Sequence, residues 1–205
     1  VGIKGYKYKK NITINARNSG TLGRLISGVL IDTTFPIKII GDKSLSKRDF
    51  KRVAKPLSKF GASFQLKNNC NLPLIIKGSK KLNPIKFFEN KGSAQCKSSI
   101  IFGGIKTDGK TVIKARKSRN HTELLLKHLK LPIKIKKNKN LDIIEISKVN
   151  IVPYSYDPTP LIKGEIDASL DFTTNVPYTI KMLGEQASHF LLYDFGFTIY
   201  NDTVV

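Results

Sequence analysis

Two hydrophobic spacings alternate along the first three quarters of the chain. Short apolar runs predict β-strands, and apolar residues that recur three and four positions apart predict amphipathic helices. The helical spacing is clearest in Thr21–Ile31 and in Arg48–Phe60, where the apolar residues share one face and Gly61 follows as a stop. We expect Pro56 to bend or break the second helix, because proline lacks the backbone N–H that a helix uses.

The predicted elements occur in a repeated order. Strands are predicted at Asn11–Asn15, Pro36–Ile40, Ser63–Leu66, Leu72–Lys77, Ile85–Phe88, Thr111–Ala115, Ile133–Ile135 and Asp142–Ile146. Two further helices are predicted at Ala94–Ile105 and Asn120–Leu129, the latter with Asn120 as its cap. The order is β-α-β-α-β-β, then β-α-β-α-β-β, which is a repeat of elements rather than of identical residues. The predicted fold class is therefore α/β (α+β by some schemes), with a short α/β tail.

The pattern changes from about Asn150 onward, and we call residues 150–205 the tail. The spacing there predicts a strand at Ile166–Phe172, a helix at Asn175–Gly184 and a strand at His189–Leu192. No run in the chain approaches the roughly 18 apolar residues that a membrane-spanning helix needs. The first residues also lack the apolar segment of a secretory signal. We therefore expect no membrane partner.

Charge changes sign at the same place. The whole chain has 36 Lys and Arg against 15 Asp and Glu, a net charge of +21. Residues 1–149 hold 34 of the basic and 8 of the acidic residues, so residues 150–205 carry a net charge of −5. A reversal this sharp marks a boundary between domains or between origins. We place it between a domain at 1–147 and a fragment at 148–205.

The composition leaves the meaning of the basic charge open. An excess this large suggests a nucleic acid or another anionic surface as a partner. Isoleucine, lysine and asparagine are abundant throughout, however, and a genome rich in A and T would produce that composition without any functional meaning. Cys70 and Cys96 have no spacing typical of a metal site and are interpreted as reduced thiols of a cytosolic protein.

Four connections from a strand to a helix share one polar chemistry. Each offers hydroxyls, amides or cations at a helix start, where free backbone N–H groups and the helix dipole favour anions. The four connections are Asn18–Thr21, Asp42–Arg48, Gly92–Gln95 and Lys117–Thr122. Any one of them is equally well explained as helix capping, whereas four in a repeated order predict an anion site. Arg48 and Arg119 suit a carboxylate or phosphate because a guanidinium binds these groups with two parallel hydrogen bonds.

These connections resemble four motifs of EPSP synthases. Asn18–Arg24 resembles N-[AS]-G-T-x-x-R, and Gly41–Arg48 resembles G-D-x-S-[LI]-x-[KR]-R. Ser93–Ser98 resembles S-A-Q-x-K-S, and Ser118–Glu123 resembles S-R-[DN]-H-T-E. The motifs occur in the family's order, and the resemblance covers residues 1–149. It implies a fold of two domains, each built from three β-α-β-α-β-β units.

The resemblance also implies a reaction and a set of binding residues. Members of the family transfer the enolpyruvyl group of phosphoenolpyruvate to the 5-hydroxyl of shikimate 3-phosphate and release phosphate. Phosphoenolpyruvate would be held by the backbone N–H of Gly20, by the Arg48 guanidinium and by Gln95. The residues implied to bind shikimate 3-phosphate are Ser93, Gln95, Ser118 and Arg119. The resemblance implies no metal and no organic cofactor, and it implies a cytoplasmic monomer.

Several parts of the family pattern have no counterpart in this sequence. The family's G-x-K-S-x-x-x-R loop is expected upstream of Val1, and the family's P-G-D-I-S-S-A-A-F-like helix entry does not follow the region of Glu145. The acid–base Asp, Glu and Lys of the family's other domain are also absent. We therefore expect a fragment of 3-phosphoshikimate 1-carboxyvinyltransferase without catalytic residues, inactive alone, that binds shikimate 3-phosphate weakly.

The tail resembles a different family. Residues 149–161, 164–168 and 172–177 are similar to periplasmic solute-binding proteins of the nitrate, taurine and thiamine-precursor type. That resemblance places Thr174 and Asn175 near a cleft between two lobes. The two families share no pathway or compartment, so the sequence favours a fused reading frame joined near residues 146–150. An unrelated α/β extension is the alternative.

Two other functions stay open at this point. The chain is a solute-binding protein fragment of a transporter if the tail and the basic region form one core. It is a nucleic-acid-binding module if the basic charge has a specific partner, although Trp is absent and the aromatic residues of the basic region are scattered or fall at predicted core positions. We expect anionic small molecules rather than a specific nucleic acid as the partners.

Overall fold

The computed structural model describes residues 12–150, 157–169, 175–186 and 188. The chain divides into two compact units, one formed by Tyr6–Asn150 and the other by Val1–Gly5 with Ile151–Val205. None of the helices in the described part of the chain is long and apolar enough to cross a bilayer.

The unit Tyr6–Asn150 contains two copies of one arrangement. The first copy consists of β1 (Ile12–Asn15), α1 (Gly20–Val29), β2 (Ile37–Ile40), α2 (Lys51–Ser58), β3 (Ser63–Lys67) and β4 (Asn71–Lys77). The second consists of β5 (Lys86–Glu89), α3 (Ala94–Gly104), β6 (Thr111–Arg116), α4 (His121–His128), β7 (Ile133–Lys137) and β8 (Leu141–Ile146). The strand orders are β1-β2-β4-β3 and β5-β6-β8-β7, so the two sheets have the same topology. The predicted α/β class and the repeated β-α-β-α-β-β order are confirmed.

Each sheet is mixed, with its parallel pair at one edge. In the first sheet β1 and β2 run parallel, with Ile12 opposite Ile37, and β4 pairs antiparallel with both β2 and β3. The second sheet repeats this pattern, with β5 and β6 parallel and β8 antiparallel to its two neighbours. Because α1 and α3 each connect the two parallel strands of their sheet, both helices begin just after the carboxyl end of an edge strand.

The second predicted helix differs from the structure at its start and at Pro56. A 3₁₀ turn at Leu45–Lys47 precedes it, Arg48 is extended with φ −78° and ψ 152°, and α2 begins only at Lys51. Pro56 lies within α2 and does not break it. The helix ends two residues later, so proline removes a single bond near the end, and the fully buried Val53 and Leu57 keep the helix packed.

Asn120 occupies the N-cap position of α4 as predicted, but its side chain makes no capping hydrogen bond. The tail contains a short helix α5 (Thr159–Ile162), which was not predicted, and α6 (Val176–Met182), which confirms the predicted helix at Asn175–Gly184.

The predicted strand at Ile166–Phe172 is wrong for residues 166–169, which are not in a strand. The backbone N–H groups of Glu165 and Ile166 instead donate to the carbonyl of Pro160 at 2.8 and 3.3 Å, so the chain turns back onto α5. Residues 170–174 and the predicted strand His189–Leu192 lie outside the described residues.

Helices α1 and α3 pack tightly and run parallel. A Cβ atom on Gly28 would lie only 2.1 Å from the carbonyl oxygen of Ser99, so the two helices meet there backbone to backbone. The Ser99 hydroxyl donates to the Arg24 carbonyl at 2.8 Å, and the Lys106 ammonium donates to the Val29 carbonyl at 2.5 Å. Contacts therefore advance along both helices in the same direction, and the starts of α1 and α3 lie side by side.

Candidate anion-binding site

The start of α1 leaves one backbone donor free. Ser19 caps the helix, since its hydroxyl accepts from the Leu22 N–H at 3.1 Å. The Gly20 N–H donates to the Asn18 carbonyl at 3.1 Å and the Gly23 N–H donates to the Ser19 carbonyl at 3.1 Å. Among the described residues, the N–H of Thr21 therefore has no acceptor, and it points out of the first turn as helix geometry requires.

Gly20 leaves space for two guanidinium groups. A Cβ atom built on Gly20 would lie 2.9 Å from Nη1 of Arg24 and 3.3 Å from Nη1 of Arg48. Both cations therefore converge over the first residue of α1, although they come from different elements. A residue with a side chain at this position would push at least one of them away.

Arg24 connects this position to the start of α3. Its Nη1 donates to Oε1 of Gln95 at 2.6 Å, and Nε2 of Gln95 donates to the Thr21 hydroxyl at 2.7 Å. The guanidinium lies 5.2 Å from the centre of the Phe50 ring, which supports it by a cation–π contact. Burial, followed by the nearby charges of Arg52 and Arg48, lowers the pKa of Arg24, but a guanidinium keeps its proton throughout the working range.

Arg48 is held from the other side by an exposed polar network. Its Nη2 lies 3.5 Å from Oδ1 of Asn18, and Nδ2 of Asn18 donates to Oδ2 of Asp42 at 2.6 Å. The other oxygen of Asp42 accepts from the Leu45 N–H at 2.7 Å and so caps the 3₁₀ turn. Because the contact to Asn18 is long, Arg48 retains donors that face solvent.

The loop before α3 is ordered by a buried carboxylate. Glu89, at the end of β5, is 5% exposed and accepts from the backbone N–H groups of Lys91 and Ser93 at 3.2 and 2.9 Å. The Ser93 hydroxyl then accepts from the Cys96 N–H at 3.3 Å and caps the helix. The backbone N–H groups at the start of α3 and the side chain of Gln95 are thus presented beside the start of α1.

The loop before α4 contains Ser118 and Arg119. The Ser118 hydroxyl oxygen is buried and has no hydrogen-bond partner among the described residues, whereas Arg119 is exposed. The helix that follows is attached to α3 by two side-chain contacts. Nζ of Lys97 lies 2.5 Å from Oε1 of Glu123, and the hydroxyls of Ser98 and Thr122 lie 2.7 Å apart.

The structure thus connects most of the predicted site residues. Gly20, Arg48 and Gln95 meet around Arg24, and Ser93 lies two residues from Gln95. Ser118 and Arg119 are linked to this group through the attachment of α4 to α3. Arg24 received no role from the sequence, although it ends the motif Asn18–Arg24 and lies one helical turn beyond Gly20, the spacing that puts two residues on one face.

Comparisons with known proteins identify the family. A family model described as EPSP synthase (3-phosphoshikimate 1-carboxyvinyltransferase) matches residues 2–151. The chain belongs to the EPSP synthase family. A 3-phosphoshikimate 1-carboxyvinyltransferase of Caldicellulosiruptor bescii is 46% identical over 135 residues, which is 65% of this chain and 31% of the relative. One of Endomicrobium trichonymphae is 46% identical over 126 residues, 61% of this chain and 29% of the relative.

A solved structure agrees with these relatives. An EPSP synthase of Acinetobacter baumannii, determined at 2.37 Å, superposes with a TM-score of 0.61 at 34% identity, over 69% of this chain and 32% of that one. The matched part of this chain thus spans about a third of the length of these EPSP synthases. The resemblance of residues 1–149 to the family is confirmed, and the resemblance of the tail to solute-binding proteins stays a prediction.

Proposed function

We propose that residues 1–147 form a substrate-binding part of a 3-phosphoshikimate 1-carboxyvinyltransferase. In this proposal phosphoenolpyruvate binds at Gly20, Arg48 and Gln95. Shikimate 3-phosphate binds at Ser93, Gln95, Ser118 and Arg119. The observation that carries the proposal is the convergence of the Arg24 and Arg48 guanidiniums with Gln95 over the start of α1.

The chemistry of the reaction suits this arrangement. The 5-hydroxyl of shikimate 3-phosphate forms a new C–O bond to the enolpyruvyl group, and phosphate leaves. Both substrates and the departing phosphate carry concentrated negative charge, which fixed cations and free N–H groups stabilise without reorganising. Because the Gly20 N–H already donates to Asn18, we assign the free backbone donor to Thr21 and give Gly20 the role of keeping the space open.

Four further points belong to the proposal. We infer a cytoplasmic monomer without a specific nucleic-acid partner; the free thiols of Cys70 and Cys96 support the cytoplasmic location alone. We place the boundary between the enzyme part and the tail at 147/148. The match of the family model to residues 2–151 and the change of charge sign support that boundary.

Binding of shikimate 3-phosphate to the full chain tests the proposal. Isothermal calorimetry should give a saturable heat for the wild type, and Arg119→Ala should weaken the affinity about tenfold or more, because charge-assisted hydrogen bonds to phosphate are lost. Lys134→Ala is the matched control, since it removes one positive charge from an exposed position on β7. The absence of binding to the wild type at millimolar ligand, or an equal loss in both variants, would contradict the assignment.

A further inference from the structure

The starts of α3 and α4 are joined by a pair of opposite charges that has no access to solvent. The side chains of Lys97 and Glu123 are 0% and 2% exposed. Lys97 lies in the first turn of α3, two residues after Gln95, and Glu123 lies in the first turn of α4, four residues after Arg119. The pair therefore sits directly behind two of the turns to which the proposed function assigns shikimate 3-phosphate.

This pair is poorly explained as a device for stability alone. Burying two charges costs more than most surface ion pairs return, and apolar residues of similar size usually serve a core as well or better. The contact is an ion pair rather than a well-aligned hydrogen bond, because Nζ of Lys97 and Oε2 of Glu123 have no hydrogen-bond partner among the described residues despite the 2.5 Å separation of Nζ and Oε1. The pair therefore also serves to fix the position of α4 relative to α3.

The rest of the contact between α3 and α4 gives the pair this positioning role. Next to it, the hydroxyls of Ser98 and Thr122 lie 2.7 Å apart. The start of α4 lacks a capping side chain, since Asn120 makes no such bond, and Arg119 is exposed. The direction in which Ser118 and Arg119 are presented therefore depends on the attachment of α4 to α3.

We propose that Lys97 and Glu123 are positioning residues that hold the Ser118–Arg119 turn against the Ser93–Gln95 turn, so that both contact one phosphorylated ligand. This inference rests on the proposed function, because it deepens the assignment of shikimate 3-phosphate to these turns. Neither side chain touches the ligand in this proposal, since both are buried behind the turns.

The test replaces the pair by apolar residues in the full chain. In the double variant Lys97→Met with Glu123→Leu no charge is left unpaired, so we expect it to fold with a urea midpoint close to that of the wild type. Calorimetry should nevertheless show about tenfold weaker binding of shikimate 3-phosphate, a size typical of coupling between residues behind a site and the site itself. The affinity for phosphoenolpyruvate, assigned to Gly20, Arg48 and Gln95, should change less than twofold.

A measurement without ligand separates this inference from the proposed function. The Leu124 N–H donates to the Asn120 carbonyl at 3.0 Å and reports on the first turn of α4, whereas the Gly23 N–H donates to the Ser19 carbonyl at 3.1 Å and reports on α1. In the double variant the exchange of the Leu124 amide hydrogen should accelerate about tenfold, a local opening, and that of Gly23 should not change. If the wild type does not bind shikimate 3-phosphate, the proposed function fails, and the exchange at Leu124 still decides the inference.

A second ion pair close to α3 provides the matched control. Lys106→Met with Asp32→Asn removes another ion pair, one that joins the segments just after α3 and α1, and should change neither the affinity for shikimate 3-phosphate nor the exchange at Leu124. The inference would be overturned if the Leu124 amide hydrogen exchanged at the same rate in Lys97→Met with Glu123→Leu as in the wild type. If that variant does not fold, Lys97→Met with Glu123→Gln, which also leaves no net charge, is measured instead with the same criteria.

Discussion

Gly20 has a role that depends on the absence of a side chain. Its position at the start of α1 does not require an unusual backbone conformation, and alanine is a better helix former by about 1 kcal/mol. What glycine provides is room, because a Cβ atom would meet Nη1 of Arg24 at 2.9 Å and Nη1 of Arg48 at 3.3 Å. The residue therefore sets where two cations lie without contacting a ligand through its own side chain.

Gly20→Ala should consequently weaken the binding of phosphoenolpyruvate without lowering the stability of the fold. We expect the midpoint of urea unfolding to stay the same or to rise slightly, and the affinity for phosphoenolpyruvate to fall about tenfold, or 1.4 kcal/mol, because the guanidiniums are displaced. Calorimetric titration of the same variant with shikimate 3-phosphate is the internal control and should change much less. An equal loss for both ligands would mean that Gly20 supports the whole site rather than the phosphoenolpyruvate side.

Some site residues were predictable from the sequence and others were not, for a physical reason. Gly20, Arg48 and Gln95 lie in turns whose polar composition stands out between apolar segments. Lys97 and Glu123 lie inside predicted helices, where a charged residue normally indicates a solvent-facing surface. Only the contact of α3 with α4 turns both charges inward, and a pattern within one helix carries no information about that contact.

At the scale of elements, the crossing of α1 with α3 determines how the two copies of the repeat share a site. The helices are parallel and close enough that Gly28 faces the carbonyl of Ser99. Behind the crossing, one hydrophobic cluster combines residues from both copies, including Ile31 and Phe60 from the first and Ile100 and Ile146 from the second. This packing brings the separate turns before α1 and α3 side by side.

Gly28→Ala should therefore be strongly destabilising. The added carbon would lie 2.1 Å from the Ser99 oxygen, so the helices must separate, at a cost of about 1–3 kcal/mol or more in the free energy of unfolding. The gain in helix propensity offsets only part of this cost. Urea denaturation followed by circular dichroism measures the change. Val29→Ala, on the adjacent and 38% exposed residue of α1, is the control and should cost less than Gly28→Ala.

The hydrophobic pattern predicts the order of the elements better than it predicts where each element begins and ends. The order of strands and helices followed from hydrophobic spacing, because both halves bury one face of each element. The start of α2 did not, since Arg48 is extended and the fully buried Phe50 is the N-cap residue rather than part of the helix. Pro56 was expected to bend or break the helix, yet burial of Val53 and Leu57 outweighs the loss of a single backbone bond.

At the scale of the whole molecule, the unit Tyr6–Asn150 contains its own hydrophobic interior. Among the residues that the structure describes, the members of both buried clusters all lie between Ala16 and Ile146. The same region carries the basic excess, with 34 Lys and Arg against 8 Asp and Glu up to residue 149. The part of the chain that matches the EPSP synthase family therefore contains both a hydrophobic interior and the basic excess. Specific binding of a small anion and non-specific binding of nucleic acid can then be tested in this part alone.

A chain that ends at Asn150 should bind shikimate 3-phosphate as before and should bind DNA duplexes non-specifically with higher affinity. Because the described members of both hydrophobic clusters lie at or before Ile146, we expect the affinity for shikimate 3-phosphate to stay within about twofold of that of the full chain at equal ionic strength. Loss of a region with a net charge of −5 should strengthen binding to any DNA duplex, with a steep dependence on salt.

Calorimetry measures the affinity for shikimate 3-phosphate, and fluorescence anisotropy with unrelated duplexes measures the binding of DNA. Arg119→Ala in the shortened chain should weaken binding of shikimate 3-phosphate about tenfold or more and leave duplex binding almost unchanged, because one charge among many matters little for non-specific contacts. A preference for one duplex sequence that survives physiological salt would instead favour a nucleic-acid-binding function.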